Sequence, residues 1–246
     1  MKIALVGYGK MGQIVKELAE ARNHIITTID PLNKNADYQD ISQKSVGDAD
    51  VCIDFSHPTA VLSNIEKLTS LKKNSVIGTT GWYDKVDWVK ELVDKNNVGL
   101  LYASNFSIGV NIFYQIVKNA AHLINKIDAY DVCGLEYHHN QKADSPSGTA
   151  QSLAKILLQE IDRKDEVVYD KMERKIQPNE LHFASVRCGA FPGTHEISFD
   201  SSADTISLKH TARSRQGFAY GAVLAAEWLK EKKGLFTIDD FIKSIL

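Results

Sequence analysis

The sequence predicts the α/β fold class: a doubly wound parallel sheet comes first, and a C-terminal α+β domain with a mixed sheet follows it. Roughly the first hundred residues alternate short, almost continuous apolar runs with longer segments of helical period. A glycine-rich stretch joins the first apolar run to the first helical segment. Beyond residue 106, apolar and polar residues alternate, which is typical of strands with one buried face. These three patterns together predict two domains.

The apolar runs of the first domain predict strands at residues 2–6, 24–30, 50–55, 75–80 and 98–103. Helices are predicted between the strands, because apolar residues recur every three or four positions, as in Val61, Leu62, Ile65 and Leu68. Strands and helices in alternation imply right-handed crossovers and therefore a parallel sheet. We predict that this domain comprises residues 1–105 and is completed by residues 216–246.

The second domain is predicted over residues 106–215. A long apolar helix around Phe113 and Val117 opens it, and the segments "AYDVCGLEYH", "HFASVRC", "THEISFD" and "DTISLKH" alternate with the period of a strand. The segment "AQSLAKILLQEI" predicts another helix. The last thirty residues or so are predicted to be helical, with Gly234 as a C-terminal cap and a short helix opened by Thr237 and Asp240.

Composition narrows the function classes. The chain has 246 residues, 43% of them hydrophobic, and 29 basic against 31 acidic residues give a formal charge of −2. Because no long run of one charge occurs, a nucleic-acid or membrane surface is disfavoured and a small-molecule partner is favoured. Cys52, Cys133 and Cys188 lack the spacing of a metal or redox pair, so we expect reduced, packed thiols. The first apolar run is too short for a signal peptide, which favours a cytoplasmic protein.

The stretch "VGYGKMG" places Gly7, Gly9 and Gly12 in G-x-G-x-x-G spacing between the first strand and the first helix. This pattern is typical of a Rossmann-type dinucleotide site, in which the helix N-terminus receives the pyrophosphate. Asp30 follows the second strand, where an acid can bind the adenosine ribose. An acid there, with Pro31 after it, favours NADH, although Lys34 leaves NADPH open.

Two further loops follow strands of the parallel sheet, "GTTG" at 78–81 and "ASNFS" at 103–107. Ligands lie at this edge of open parallel sheets, and the small and hydroxylic residues leave room for ribose and nicotinamide. The alternative is that both loops are ordinary turns before helices. The roles of His57, Trp82, Arg187, Arg213 and Arg215 stay open at this stage.

Three interpretations compete for the segment "EYHHNQKADSPSGTA" at 136–150. A metal set of Glu136, His138 and His139 is disfavoured, because neighbouring strand residues point to opposite faces, and no metal is predicted. A polar loop that only leads into a helix is the second. In the third, the backbone amides of Ser147, Gly148 and Thr149 at a helix N-terminus bind a substrate carboxylate. His138 or Lys142 then donates a proton, and His139 with Lys142 adds positive charge.

This segment is similar to the signature of the dihydrodipicolinate reductase family. Other segments resemble the family in the same order along the chain: "VGYGKMG", "IDFSHP", "GTTG", "ASNFSIGVN", "GTHEISF" and "LKHTARSRQGFAYGA". The glycine loop is one residue shorter than the common family form, and the second strand ends in Asp-Pro rather than Glu-Arg. Both departures concern cofactor preference more than the reaction.

The resemblance implies a homotetramer that reduces 4-hydroxy-tetrahydrodipicolinate with NADH or NADPH in the diaminopimelate branch of lysine biosynthesis. It implies that His138 is the acid/base residue, Lys142 a proton donor, and His139, Gly148 and Thr149 substrate-binding residues. The implied cofactor-binding residues are Gly7, Tyr8, Gly9, Lys10, Met11, Gly12, Asp30, Gly78, Thr79, Thr80, Ala103, Ser104, Asn105 and Phe106. An ordinary imidazole pKa of about 6.5 would keep both forms of His138 accessible near neutral pH.

Two other functions fit the first domain. Another two-domain NAD(P) oxidoreductase of a small carboxylate, such as one resembling aspartate or homoserine dehydrogenases, does not need the His-His-x-x-Lys and Ser-Gly-Thr cluster. A non-enzymatic NADH sensor would need a basic DNA-binding region, and the sequence has none in view.

Overall fold

The computed structural model describes residues 1–169 and 171–245, which fall into two units. The first unit comprises Met1–Ile108 together with the segment from Arg215 onward, and the second comprises Gly109–Ser214. Among the described residues, no helix has the length and apolar character needed to cross a membrane.

The strands in chain order are β1 (Lys2–Val6), β2 (Ile25–Ile29), β3 (Val51–Asp54), β4 (Asn74–Ile77), β5 (Gly99–Tyr102), β6 (Asp131–His138), β7 (Glu166–Val168), β8 (Glu180–Arg187), β9 (Thr194–Asp200), β10 (Thr205–Thr211) and β11 (Gly234–Thr237). The helices are α1 (Lys10–Ala21), α2 (Gln43–Val46), α3 (Val61–Ser70), α4 (Val86–Asn96), α5 (Ile108–Ile124), α6 (Gly148–Glu160), α7 (Gln216–Leu229) and α8 (Ile238–Ile245).

The sheet of the first unit is parallel throughout, in the order β2-β1-β3-β4-β5-β11. This is the doubly wound arrangement that the sequence predicts, with the carboxyl ends of β1, β3 and β4 at one edge. Helices α1 and α7 pack in one core with β1 and β3, through Val15, Ala222, Val223 and Ala226. Helices α3 and α4 pack against β4 and β5 in another. The glycine turn therefore lies at the carboxyl edge of a sheet that is packed by helices.

Strand β11 corrects the prediction that the last thirty residues are helical. Gly234 has a φ of +112°, a region that glycine adopts at little cost, so the chain reverses just after α7. Its N–H then donates to the carbonyl of Val98, and the next residues pair with β5. The two apolar residues of β11, Leu235 and Phe236, do not form the longer run by which the equally short strands β3, β4 and β5 were predicted. The three-residue strand β7 escaped prediction for the same reason.

The second sheet is mixed, as predicted, in the order β10-β9-β6-β8-β7. Strands β6, β8 and β7 are parallel, whereas β9 is antiparallel to both of its neighbours. Helices α5 and α6 cover one face through Phe113, Val117, Leu153 and Leu157. We call this the inner face. The opposite, outer face includes Leu135, Tyr137 and Val186, and these side chains are half-buried or exposed.

The three cysteines are free thiols, but only one of them is packed as predicted. Cys52 is fully buried in β3, and burial raises its pKa to about 12. Cys133 and Cys188 are exposed. Cys133 lies on the outer face, because it precedes Gly134 of the inner face and strand residues alternate.

Candidate active site

The three glycines after β1 meet different local constraints. Gly7 has a φ of +91°, and a Cβ there would overlap the carbonyl oxygen of Phe55. A Cβ at Gly12 would overlap the carbonyl oxygen of Gly7, so this glycine allows α1 to pack closely. Gly9 is the N-cap of α1, and a Cβ there would meet nothing within 4 Å. The open space beside Gly9, at a helix N-terminus without a side-chain cap, fits a dinucleotide pyrophosphate.

The Asp30 carboxylate anchors the turn that follows β2. It accepts hydrogen bonds from the backbone N–H groups of Tyr8 at 2.8 Å, Leu32 at 2.8 Å and Asn33 at 2.9 Å. Burial opposes ionisation, but these three donors together hold the pKa of Asp30 below its usual value. A carboxylate has roughly four acceptor sites, so this turn-capping role still leaves one for a ribose hydroxyl.

Two cavities lie beside these residues in the first unit. One has a volume of about 390 Å³, within the range of small-molecule sites. Its lining includes Gly7, Gly9, Asp30, Pro31, Leu32, His57, Asn64 and Lys67. The other has a volume of about 240 Å³ and is lined by Met11, Phe55, Ser56, Pro58, Gly78, Thr79 and Thr80. The cavities share Phe55 and Ser56, so the predicted cofactor residues Gly7, Gly9, Met11, Asp30 and 78–80 surround adjoining space.

A buried carboxylate beneath this space did not stand out in the sequence. Asp54, at the end of β3, accepts hydrogen bonds from the hydroxyls of Thr79 at 2.7 Å and Ser56 at 2.7 Å. It also accepts one from the amide of Asn64 at 2.9 Å. The Trp82 indole N–H donates to the carbonyl of Thr79 at 2.8 Å, so this buried residue supports the same loop. Asp54 and Thr79 lie in the segments "IDFSHP" and "GTTG", both noted in the sequence. Their contact could not be predicted, because it depends on β3 and β4 being neighbours in the sheet.

The remaining predicted cofactor residues differ in exposure. Ala103 and Phe106 are buried in the core of the first unit, and the Phe106 ring meets the edge of Phe55 at 6.2 Å between centroids. Asn105 accepts a hydrogen bond from the backbone of Ser107 at 2.8 Å. Lys10 and Ser104 are exposed. The 103–106 loop therefore presents mainly backbone and Ser104 to its surroundings.

In the second unit, polar residues replace apolar ones at one end of the inner face. His210, His195, Glu136 and Ser185 form a row, because each pairs with the next across β10, β9, β6 and β8. Arg187 stands opposite the last residue of β6, His138. Glu136, His138 and His195 are buried. Strand register therefore assembles side chains that lie far apart in sequence.

Glu136 is the centre of this row. It is fully buried and accepts hydrogen bonds from the Ser147 backbone at 3.0 Å, the Ser185 hydroxyl at 2.8 Å and the Arg187 guanidinium at 3.0 Å. The hydroxyl of Ser147 donates to Oε2 of Glu136, and this oxygen lies 3.3 Å from Nε2 of His195. Burial raises the pKa of Glu136, but His195 and Ser147 outweigh it and hold this pKa well below the usual range. Glu136 is thus a buried carboxylate anion.

Ser147 is the N-cap of α6, and its hydroxyl accepts a hydrogen bond from the backbone of Ala150 at 3.2 Å. Because its own N–H donates to Glu136, this amide is already engaged, in contrast to the predicted role of all three amides in substrate binding. Gly148 and Thr149 belong to the first turn of α6. Backbone N–H groups in the first turn of a helix point along the axis, beyond the N-terminus. A Cβ at Gly148 would meet nothing within 4 Å. The hydrogen bonds of Ser147 with Glu136 tie the cap of α6 to the polar row.

His138 has a perturbed environment. Its Nδ1 lies 3.3 Å from Glu136 Oε2 without a hydrogen bond, and a Cβ at Gly193 would stand 3.1 Å from its Nε2. Burial lowers the pKa of His138 to about 4, and the positive charges of Lys142 and Arg187 add to the effect although Glu136 opposes it. The expectation of an ordinary imidazole pKa is therefore wrong for this protein without substrate.

The other predicted substrate residues lie in the loop between β6 and α6. The His139 backbone N–H donates to the carbonyl of Phe191 at 2.9 Å, just after β6 ends. Lys142 is paired with Asp144, with Nζ at 2.7 and 2.9 Å from its carboxylate oxygens. Arg187, whose role the sequence left open, also donates to the Asp144 backbone carbonyl at 2.7 Å.

The ligand atoms of Glu136, His138 and His195 all lie within 4.8 Å of one another, as in a metal site. The sequence-based metal set had His139 in place of His195, and only the β6–β9 register reveals this partner. The Arg187 guanidinium, 3.0 Å from Glu136, already supplies the positive charge that a cation would bring to the carboxylate. This arrangement favours an ion pair over a metal ion.

Two family models match the chain. The model described as "Dihydrodipicolinate reductase, N-terminus" matches residues 1–106, and the model described as "Dihydrodipicolinate reductase, C-terminus" matches residues 109–242. Among relatives, the 4-hydroxy-tetrahydrodipicolinate reductase of Christiangramia forsetii is 40% identical and aligns with 100% of this chain and 99% of its own. The reductase of the same name from Staphylococcus carnosus is 37% identical, over 98% of this chain and 99% of its own.

Solved structures share the fold. A dipicolinate-bound dihydrodipicolinate reductase from Paenisporosarcina sp. TG-14 is similar with a TM-score of 0.78 and 24% identity, over 96% of this chain and 97% of that one. A probable dehydrogenase from Thermotoga maritima is similar with a TM-score of 0.62 and 12% identity, over 100% of this chain and 93% of that one.

Proposed function

Because the chain belongs to the dihydrodipicolinate reductase family, we propose that its second unit binds the dicarboxylate substrate at the N-terminus of α6 and protonates it from His138. The chain is an NAD(P)H-dependent oxidoreductase that reduces 4-hydroxy-tetrahydrodipicolinate to tetrahydrodipicolinate in diaminopimelate and lysine biosynthesis. One observation carries the proposal: Glu136 joins Ser147, the cap of α6, to the strand that ends at His138.

Family membership decides for this reductase over the two alternatives, another carboxylate dehydrogenase and an NADH sensor. A dicarboxylate also suits the second unit. The first-turn amides of Gly148 and Thr149 and the positive end of the α6 dipole favour one carboxylate. Lys142 and His139 lie in the preceding loop and supply charge for the other. To bind this second carboxylate, Lys142 leaves its ion pair with Asp144.

The reaction consumes one hydride and one proton and releases water. When bound, NADH or NADPH supplies the hydride. His138 holds the proton at Nε2, because Nδ1 faces Glu136, and delivers it to the electron-rich enamine that reduction leaves. Before hydride transfer, Lys142 protonates the hydroxyl that leaves as water, and the adjacent ring carbon loses a proton as the C=C bond forms, which balances the proton that Lys142 gives. The two carboxylates of the substrate raise the pKa of His138, which is low without them, so the donor becomes charged when the substrate is present.

Gly7–Gly12, Asp30, Gly78–Thr80 and Ala103–Phe106 are proposed to hold the cofactor. The open space at Gly9 and the adjoining cavities support this assignment. NADH is proposed as the preferred cofactor, because the Asp30 anion repels the 2′-phosphate of NADPH.

We also propose that the protein is a homotetramer that assembles through the second sheet. We propose that it acts in the cytoplasm, where NAD(P)H is supplied. Support comes from the outer face, where Leu135 and Tyr137 are half-buried and Val186 is 36% exposed. Apolar side chains on one face of a sheet are typical of a surface that another subunit covers.

The proposal is tested by separate His138→Gln and Lys142→Cys variants. Each should lower turnover by about 100-fold or more, in the range of lost general acid catalysis, and leave NADH affinity within about twofold. Turnover is measured as NADH oxidation that depends on freshly generated 4-hydroxy-tetrahydrodipicolinate.

His122→Gln is the matched control, because His122 of α5 is exposed and pairs only loosely with Glu160 at 3.6 Å. This variant should keep wild-type turnover. Near-normal turnover in both the His138 and Lys142 variants would remove these residues from the mechanism.

A further inference from the structure

We propose that Glu136 is a positioning residue, whose buried carboxylate holds the proton donor His138 and the first turn of α6 in one fixed arrangement. The inference rests on the proposed function, since it concerns the residues assigned there to the proton and the carboxylate. Glu136 itself lies at 0% exposure, and its carboxylate accepts hydrogen bonds from Ser147, Ser185 and Arg187.

The donors to Glu136 come from three elements. Ser147 belongs to the start of α6, Ser185 and Arg187 to β8, and His195 to β9. Two of the contacts, from the N–H and the hydroxyl of Ser147, tie the helix cap directly to β6. His138 lies two residues further along β6, on the same face. One carboxylate therefore sets the distance between the carboxylate-binding turn and the proton donor.

A charge is needed for this task. A carboxylate oxygen accepts several hydrogen bonds at once, whereas the amide of glutamine has one accepting oxygen and a nitrogen that only donates. In a Glu136→Gln variant, the NH₂ group would face a group that donates to the wild-type carboxylate. That group is either a serine hydroxyl or the Arg187 guanidinium. At least one donor would lose its acceptor, and Arg187 would lose its counter-charge in a mostly buried site.

Glu136 also acts on His138 through charge. The groups around the imidazole are Glu136 on its own strand, Arg187 on β8, His195 on β9 and Lys142 in the loop before α6. Burial and the last three disfavour the protonated imidazole, and Glu136 favours it. His210 on β10 lies one strand beyond His195 and completes the set of titratable side chains in the row.

The test compares Glu136→Gln with Glu180→Gln. Glu180 is the matched control, because it is also a buried carboxylate paired with an arginine, Arg174, on strand β8. It stands five residues before Ser185, roughly 16 Å away along the strand. We expect Glu136→Gln to weaken dipicolinate binding by about tenfold to 100-fold, with NADH affinity unchanged. Glu180→Gln should leave the affinity for both ligands unchanged.

If Glu136 positions His138 and acts on its charge, the pKa of His138 should change in a way that a loss of stability alone would not cause. In the protein without ligands, NMR titration of the His138 ring should give a lower pKa in Glu136→Gln, by on the order of one unit. Arg187→Met should move the same pKa upward, because it removes a positive charge. Opposite pKa shifts from substitutions at two neighbouring residues cannot arise from a general loss of structure. If Glu136→Gln does not fold, the pKa shift in Arg187→Met still tests the inference.

Unchanged dipicolinate affinity in Glu136→Gln, or shifts of the His138 pKa in the same direction in both variants, would overturn the inference. The proposed function fails differently: His138→Gln would then keep wild-type turnover, whatever the ligand affinities and ring pKa values of the Glu136 and Arg187 variants.

Discussion

His138 illustrates how one side chain depends on both burial and ligand. Without substrate, burial and nearby positive charges lower its pKa to about 4, so the imidazole is neutral at neutral pH. A neutral imidazole is a poor acid. In the proposed mechanism, two substrate carboxylates add negative charge beside it and favour the imidazolium. The substrate would then complete its own proton donor.

This coupling predicts different pH dependences for kcat and kcat/KM. The active form is protonated, so each parameter falls as pH rises through the pKa of His138 in the relevant state. Because kcat/KM reports the free protein, its His138 limb should lie near the low pKa of about 4. The kcat limb reports the complex and should lie at higher pH.

Steady-state rates measured from pH 4 to 9 at low and at saturating substrate provide the test, with residual turnover of His138→Gln as the control that lacks both limbs. Coincident limbs for kcat and kcat/KM would contradict the proposed role of the substrate charge.

A second residue-scale prediction concerns Asp30. Wild-type protein should have a higher kcat/KM with NADH than with NADPH, and Asp30→Ala should reduce this ratio by about tenfold, because the repulsion of the 2′-phosphate is lost. Asp37→Ala is the control, since the Asp37 carboxylate also accepts hydrogen bonds beside β2, from the Thr28 backbone and hydroxyl at 2.8 Å. An equal ratio in wild type and Asp30→Ala would assign Asp30 to the turn alone.

At the residue scale, the sequence identified groups that lie close together in the chain. Glu136, His138, Lys142 and Ser147 fall within one segment, and its resemblance to a family signature pointed to them. Arg187 and His195 were missed as partners of Glu136, because their proximity depends on the register of β8 and β9. The low pKa of His138 was missed because burial is a tertiary property.

At the scale of elements, two helix N-termini share one feature. Helices α1 and α6 each begin at a loop proposed to bind a ligand, and each has a glycine, Gly9 or Gly148, at which a Cβ would meet nothing within 4 Å. Neither glycine has a φ in the left-handed region. Because the protein itself tolerates a Cβ at both positions, an alanine there tests the ligand rather than the fold.

We expect Gly9→Ala to weaken NADH binding by about tenfold without affecting dipicolinate, since its methyl group would occupy the approach of the pyrophosphate. Gly148→Ala should do the reverse, and thus each variant controls for the other. Calorimetric titration with each ligand measures the effects. Loss of both affinities in either variant, or of neither, would show that the glycines do not mark separate ligand sites.

Elements within a longer apolar run or a clear period were predictable, whereas strands β7 and β11 were not. The alternating runs of the first hundred residues or so led to the parallel sheet, because buried strands in such sheets are apolar throughout. Strands β7 and β11 have three and four residues and owe their conformation to pairing with β8 and β5. A strand that exists only through its partner leaves no period in the sequence.

At the scale of the whole molecule, the outer face of the second sheet supports the proposed tetramer. Light scattering should give four times the chain mass of 27.4 kDa. Val186→Asp, which places a charge among Leu135 and Tyr137, should reduce this mass. Ile25→Asp is the control, because Ile25 is exposed at 65% in the first unit. A wild-type monomer, or a tetramer that is unaffected by Val186→Asp, would contradict an assembly through this face.

The last structural segment of the first unit has a consequence for biosynthesis. Helix α7 contributes Ala222, Val223, Ala226 and Leu229 to the core of that unit, and all four are fully buried. On a ribosome, residues 109–214 emerge before this helix and before strand β11. The second unit can therefore fold during translation, while the nascent first unit keeps an open hydrophobic surface until its final helix and edge strand arrive.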